Sequence, residues 1–348
     1  MIIVMRSQVE SQKVDSVVHR LEELGYEANV IWGVEKVVIG AVGVAEQDKY
    51  GTADQLRSFD GVDKVHLISK PYKFVAREGK PTRTTIHLDG VTIGSDEVVI
   101  MAGPCTVESE AQVMMTAQAV AEAGATVLRG GAYKPSTSPY SYQGMGVQGL
   151  EILREAGRRY NLRVITEVMD VRKVDLVAQY ADVLQIGTRN MQNYDLLKEV
   201  GQSKVPVMLK RGMSARLEEW LLAAEYIAAA GNERIMLCER GIRTFDSHTR
   251  NTLDLAAVPS VKNLTHLPVI VDPSQGTGRR DLVDAMSKAA VACGADGLLI
   301  EVHPSPDHAL KDGAQSMTVE GFRDLVPGLA RVAEAIGRKL VRPQVRQN

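Results

Sequence analysis

The rhythm of apolar and polar positions changes near residue 98. Ahead of it, strand-like and helix-like patterns alternate. Met1–Met5 (MIIVM) reads as a strand. Val14, Val17, Val18, Leu21 and Leu24 then recur at helical spacing within Val9–Leu24, and Gly25 sits where a helix C-terminus wants glycine. ANVIW and KVVIGAVG read as a hairpin around Gly33. A second helix is predicted near Ala53–Phe59, and Val65–Ile68 closes as a strand. The order β-α-β-β-α-β predicts a small ferredoxin-like α+β domain over residues 1–75. Such modules bind small ligands or pair with their own copies; a solubilising or oligomerising appendage without a ligand is the alternative.

Residues 76–97 read as linker and short hairpin, with the linker character already present from Tyr72 (YKFVAREGKP). The hairpin spans Ile86–Ile93 around Asp89-Gly90, placed to plug or cap the next domain. Over residues 98–348 short, wholly apolar runs recur: VVIMAG, ATVLRG, RVITEV, DVLQIG, PVMLKRG, IMLCERG, PVIVDPS and GLLIEVHP. Amphipathic stretches such as Leu217–Ala230 and Leu282–Cys293 separate them. Strands apolar on both faces and alternating with helices predict a parallel sheet with a covered outer side. Eight of them predict a (β/α)8 TIM barrel. A doubly wound open sheet is disfavoured, because no GxGxxG follows the first strand and polar residues end every strand.

Composition narrows the function classes. Net charge is −2, so no global basic field points to nucleic acid. No apolar run approaches the roughly 18 residues of a membrane span, and Met1–Glu10 lacks the pattern of a signal peptide. Three widely separated cysteines, Cys105, Cys238 and Cys293, fit a reducing cytoplasm.

The active face of such a barrel lies at the C-terminal strand ends. Those ends, with the loops just beyond, carry cations: Arg129, Lys134, Arg189, Lys210 and Arg240. Cations ending apolar strands are costly unless an anion meets them, and guanidinium forks suit phosphate and carboxylate oxygens. The set predicts a ligand with a phosphate plus a carboxylate, or with two phosphates. Salt bridges to Glu167, Glu239 or Asp272 are the alternative. A second group resembles metal ligands: Cys105, Glu301 and Asp312, with His303 and Gln275 nearby. Thiolate plus carboxylates suits a divalent transition metal, although a small buried cysteine accounts for Cys105 equally well. His248 and His266 stand alone and read as surface or structural residues. Tyr140–Gly144 reads as an active-site lid or a loop packed by its tyrosines.

AGPCTVES, LRGGAYKPSTSPYSYQG, QIGTRN, LKRG, LCERGIRTF, VDPS, GTGRRDL and EVHPSPDHALKDGAQS together closely resemble the 3-deoxy-7-phosphoheptulonate synthases of the type I beta branch, some of which carry a ferredoxin-like regulatory domain. The resemblance covers essentially the whole barrel. It implies condensation of phosphoenolpyruvate with erythrose 4-phosphate, the entry step of the shikimate pathway. It further implies that Arg129, Arg189, Lys210 and Arg240 hold phosphoenolpyruvate. Lys134 would act as general acid, Glu167 would orient the attacking water, and Pro135, Ser136 and Thr137 would line the substrate site. Cys105, Gln275, Glu301 and Asp312 fall at the metal-ligand positions, for Mn2+ by preference or for Fe2+, Co2+ or Zn2+. A homotetramer and an aromatic amino acid effector are also implied.

Two positions depart from that pattern. Gln275 stands where the family's D-P-S-H motif has histidine, and a neutral amide oxygen is the weaker ligand. A weakened metal site, a dispensable metal and a crippled site are the three readings. Ser136 stands where K-P-R-T has arginine, losing a charge-assisted phosphate contact worth about 1.5–3 kcal/mol. Arg279 or Arg280 is placed to compensate. An ordinary synthase, a related enzyme taking another aldehyde, and a catalytically weak regulatory homologue are the competing readings.

Overall fold

The computed structural model describes residues 1–43, 46–67, 71–135, 138 and 140–341. It comprises two compact units, Met1–Pro71 and Tyr72–Asn348. In the first, β1 (Ile2–Met5), α1 (Ser11–Glu23), β2 (Glu27–Trp32), β3 (Val37–Val42), α2 (Glu46–Arg57) and β4 (Val62–His66) follow the ferredoxin-like order. The antiparallel sheet runs β2-β3-β1-β4. Ile3 and Met5, alternate residues of β1, pack with Val14, Val17, Leu21 and Leu56 of the helices, as a period of two requires. Gly25 ends α1 at a φ of 79°, letting the Gly25 and Tyr26 N–H groups return to the Glu22 and Leu21 carbonyls. The helix α2 starts well ahead of the predicted Ala53, because its first turns, EQDKYGT, carry no apolar stripe. The last strand starts at Val62, which is itself buried; Ile68 lies outside the described residues.

The second unit opens with the hairpin β5 (Ile86–Leu88) and β6 (Val91–Ile93), in which Ile86 faces Ile93. Eight parallel strands then form a ring: β7 (Glu97–Gly103), β8 (Val127–Arg129), β9 (Arg163–Glu167), β10 (Val183–Ile186), β11 (Val207–Lys210), β12 (Ile235–Glu239), β13 (Val269–Val271) and β14 (Gly297–Glu301). Pairing of β14 with β7, Glu301 opposite Gly103, closes it. Around it run α3 (Glu110–Ala123), α4 (Val147–Tyr160), α5 (Val174–Ala178), α6 (Tyr194–Gln202), α7 (Leu217–Ala229), α8 (Ala257–Leu264), α9 (Pro273–Thr277), α10 (Arg280–Ala292) and α11 (Val319–Ala335). A final short strand, β15 (Lys339–Leu340), pairs in parallel with the start of β7, Lys339 opposite Glu97.

Each ring strand is buried on both faces, which explains the uninterrupted apolar runs. Inward residues such as Met101, Ile165, Met208 and Leu299 share one core with Ile86, Leu88, Val91 and Ile93, so the hairpin plugs the barrel floor. Outward residues such as Ile100, Val164, Leu209 and Leu237 pack under the helices with Trp220 and Phe322.

The segment just after Pro71 is fastened to the barrel. The Glu225 carboxylate on α7 accepts N–H bonds from Lys73, Phe74 and Val75 at 2.7, 3.0 and 3.0 Å. The Thr265 hydroxyl donates to the Val75 carbonyl, and His266 Nε2 lies 2.7 Å from the Phe74 carbonyl. A carbonyl only accepts, so Nε2 carries the proton and Nδ1 accepts from the Thr84 hydroxyl at 2.7 Å. Burial holds the His266 pKa below its ordinary value, against the raising effect of the Phe74 carbonyl.

Candidate active site

The strand ends converge on a cleft, partly open to solvent, lined by Lys134, Pro135, Glu167, Arg189, Lys210, Arg240, Gln275 and Asp312. Of the predicted cations, Lys134, Arg189, Lys210 and Arg240 line it, whereas Arg129 is not among the lining residues. Arg129, the last residue of β8, is 3% exposed and donates through Nη1 to the Pro104 carbonyl at 2.9 Å and Glu301 Oε1 at 3.2 Å. Burial opposes its charge, but Glu301 and Cys105 outweigh it and hold the Arg129 pKa above the ordinary value. Lys134 is buried in the loop after β8; burial again works against its charge, and Cys105 and Glu167 raise the pKa nonetheless.

Lys210 ends β11 at 1% exposure, with Nζ 2.7 Å from Asp272 Oδ2 and 2.9 Å from Gln275 Oε1. Asp272 follows β13 and is fully buried. Burial would raise its pKa, yet Lys210 and Arg129 pull it below the ordinary carboxylate value. Arg240 follows β12 and donates to the Gly241 carbonyl at 3.3 Å. Among the described residues it meets no carboxylate at ion-pair distance, and its buried Nε has no acceptor. Burial depresses its pKa, although Asp272 works the other way. A guanidinium so placed gains strongly from an arriving anion.

Arg211, next to Lys210, turns away. It pairs with Glu239 and Asp254, each at 2.9 Å, and braces the loops after β11 and β12. Within the predicted cation set, Lys210 pairs with Asp272, as the alternative reading had it, and Arg129 pairs with Glu301.

Glu167, at the end of β9, lies deep in the cleft with the Gln185 amide 3.5 Å away. Gly187 makes room for it: a β-carbon there would meet Glu167 Oε1 at 1.9 Å. Pro135 lines the cleft, whereas Ser136 and Thr137 lie outside the described residues. Arg279 is paired with Asp281 and His248, and Arg280 with Asp307; neither lines the cleft.

Cys105, Glu301 and Asp312 come together with one ligand atom of each within 4.8 Å of the others. Cys105 Sγ lies 3.1 Å from Asp312 Oδ2. Burial and the Glu301 charge push the Cys105 thiol up to about 12. Burial would raise the Asp312 pKa, but the Cys105 and Arg250 contacts lower it. A thiol and two carboxylates at this spacing fit a divalent cation of borderline softness. Two further residues hold the carboxylates, and sequence reasoning missed both. Gln315 Nε2 donates to Glu301 Oε2 at 2.7 Å, and Arg250 Nη1 donates to Asp312 Oδ1 at 3.1 Å and Gln315 Oε1 at 3.0 Å. They sit on a long loop and a short turn, where no periodicity marks them. His303 stays outside this group. Its Nδ1 accepts from Ser305 N–H, which leaves Nε2–H for Glu108 at 3.3 Å.

Fold and site together define a (β/α)8-barrel enzyme for small, multiply anionic substrates. Residues 73–336 match the DAHP synthetase I family and residues 1–70 the DAHP synthase ferredoxin-like domain. The chain belongs to the DAHP synthetase I family. It is 48% identical to the phospho-2-dehydro-3-deoxyheptonate aldolase of Thermotoga maritima, over 98% of this chain and all of that one. A crystal structure of the Thermotoga maritima protein superposes with a TM-score of 0.94, covering 97% of this chain and 98% of that one at 47% identity. More distant is the 2-dehydro-3-deoxyphosphooctonate aldolase of Syntrophotalea carbinolica, 34% identical over 68% of this chain and 91% of its own length. Among the described residues no helix is long and apolar enough to cross a membrane.

Proposed function

We propose that this chain condenses phosphoenolpyruvate with erythrose 4-phosphate to 3-deoxy-D-arabino-heptulosonate 7-phosphate and inorganic phosphate, the first step of the shikimate pathway, in the cytoplasm. The observation that carries the reading is the buried Arg240 guanidinium, lacking a carboxylate among the described residues, in one cleft with Lys134, Arg189 and Lys210.

In this reading Arg129, Arg189, Lys210 and Arg240 bind the phosphate and carboxylate of phosphoenolpyruvate. Its C3 forms the new bond to the aldehyde carbon, and Lys134 donates a proton to the oxygen that becomes the alcohol. Glu167 orients a water toward C2 and takes up its proton, after which the C2–O bond breaks and phosphate leaves. Pro135, Ser136 and Thr137 meet the aldehyde's phosphate end. A divalent ion on Cys105, Glu301 and Asp312, with Mn2+ preferred over Fe2+, Co2+ or Zn2+, would supply Lewis acidity toward the aldehyde oxygen.

Phosphate release from phosphoenolpyruvate, dependent on erythrose 4-phosphate and abolished by EDTA, is the deciding assay. Absence of turnover with Mn2+ restored overturns the proposal. Ser136, where the family resemblance calls for arginine, favours a second reading in which another aldehyde is the substrate. Turnover with unphosphorylated erythrose or a five-carbon aldose phosphate in preference to erythrose 4-phosphate would establish it. The ferredoxin-like module takes an aromatic amino acid effector in this proposal, and the chain assembles as a tetramer. Inhibition by added tyrosine or phenylalanine and the mass in solution test those two points.

A further inference from the structure

Gln275 occupies the third position of α9, immediately after Asp272 has capped that helix by accepting its N–H at 2.9 Å. Its side chain reaches Lys210. The Lys210 ammonium is donor-only, so the atom facing it at 2.9 Å has to be the amide oxygen; a flipped amide would set donor against donor. Asp272 and Gln275 thus take two of the three Lys210 N–H bonds, leaving the third for the cleft.

The amide oxygen is the one atom of glutamine able to bind a hard or borderline cation, and here it is committed to Lys210. The remaining amide N–H2 donates only. Among the described residues no acceptor meets it, and Gln275 lines the cleft beside Lys210, Arg240 and Asp312. Meanwhile the two ligand-type carboxylates are held without its help. Arg129 and Gln315 grip the two Glu301 oxygens, and Arg250 grips Asp312.

We propose that Gln275 is a positioning residue for Lys210 and a neutral hydrogen-bond donor into the cleft, and that the metal site of this chain has three protein ligands, Cys105, Glu301 and Asp312. The inference rests on the metal and phosphoenolpyruvate parts of the proposed function. It makes Gln275 an element of anion binding in place of metal binding, and Cys105, Glu301 and Asp312 would hold the ion without it.

The test uses the full-length, metal-stripped protein and Co2+, whose thiolate charge-transfer absorption reports ligation by Cys105. Cys105→Ser is expected to lose the band and weaken Co2+ binding at least tenfold. Gln275→Leu and Gln275→Ala are expected to keep the band and bind Co2+ within about threefold of the parent, a change small beside the tenfold that about 1.4 kcal/mol gives. Calorimetric titration of the same metal-free proteins with phosphoenolpyruvate is expected to show at least fivefold weaker binding in both Gln275 variants, because Lys210 loses the contact that positions it and the cleft loses the amide donor. Loss of Co2+ affinity in the Gln275 variants as large as in Cys105→Ser overturns the inference, as does unchanged phosphoenolpyruvate affinity. Unchanged Co2+ binding in Cys105→Ser would instead remove the metal site itself. The two failures are therefore distinct.

Discussion

Gly187 and Glu167 share a space that holds only one side chain. A β-carbon at residue 187 would fall 1.9 Å from Glu167 Oε1, and the carboxylate carbon would lie 2.9 Å away. Glycine at the end of β10 therefore fixes where the carboxylate at the end of β9 can sit. Gly187→Ala forces Glu167 out of place. In steady-state assays its kcat falls at least tenfold, while the calorimetric affinity for phosphoenolpyruvate stays within about threefold; a misplacement near 1 Å is enough for a loss of that order.

In the proposed function Arg240 offers phosphoenolpyruvate a guanidinium fork. Arg240→Lys keeps the charge and loses the paired N–H groups. Loss of a charge-assisted bond costs about 1.5–3 kcal/mol, so phosphoenolpyruvate binding weakens roughly ten- to a hundredfold. Calorimetry on the metal-free protein reads this directly, and affinity within twofold of the parent would refute the assignment.

Acid loosens the barrel floor through His266. Its folded pKa lies below the ordinary 6.5, so the unfolded chain takes up the proton first. The stability contributed by the neutral ring is complete above about pH 6.5 and is lost as pH falls through that value toward the folded pKa. Arg77, Lys80 and Glu233 supply the charges that act on it, and the Lys262–Asp296 pair shares its cavity. Chemical denaturation of the parent between pH 7.5 and 5 should show this decline, and His266→Gln should flatten it.

Glu225 gathers three consecutive backbone N–H bonds on one carboxylate. Glu225→Ala removes that acceptor, at about 1–3 kcal/mol for each N–H that stays dry. Hydrogen exchange at Lys73, Phe74 and Val75 should accelerate at least tenfold while the ring strands stay protected.

Much of the barrel and its mouth is legible in the chain itself. Strands such as Val207–Lys210 are covered on both faces, so their apolar runs stand out, and a cation closing such a run marks the barrel mouth. The parts that escape depend on other signals. The polar start of α2 is invisible to apolar spacing. Two-residue β15 is shorter than any pattern. Arg250 and Gln315 act through contacts with Asp312 and Glu301 that no local sequence feature records. Gln275 is legible as a departure from the family motif, but its bond to Lys210 appears only when the ends of β11 and β13 are brought together around the ring.

The register of β14 on β7 has a consequence for how the chain comes to life. Cys105 follows the first ring strand, whereas Glu301 ends the last and Asp312 lies just beyond it. The ligand cluster thus straddles the seam where the ring is sewn shut. A nascent chain lacks it until residue 312 has been made and the first strand has found the eighth. A cation binding there favours only the closed ring, by RT ln(1 + [L]/Kd), and so acts as a clasp that rewards completed closure and leaves partly wound intermediates unassisted.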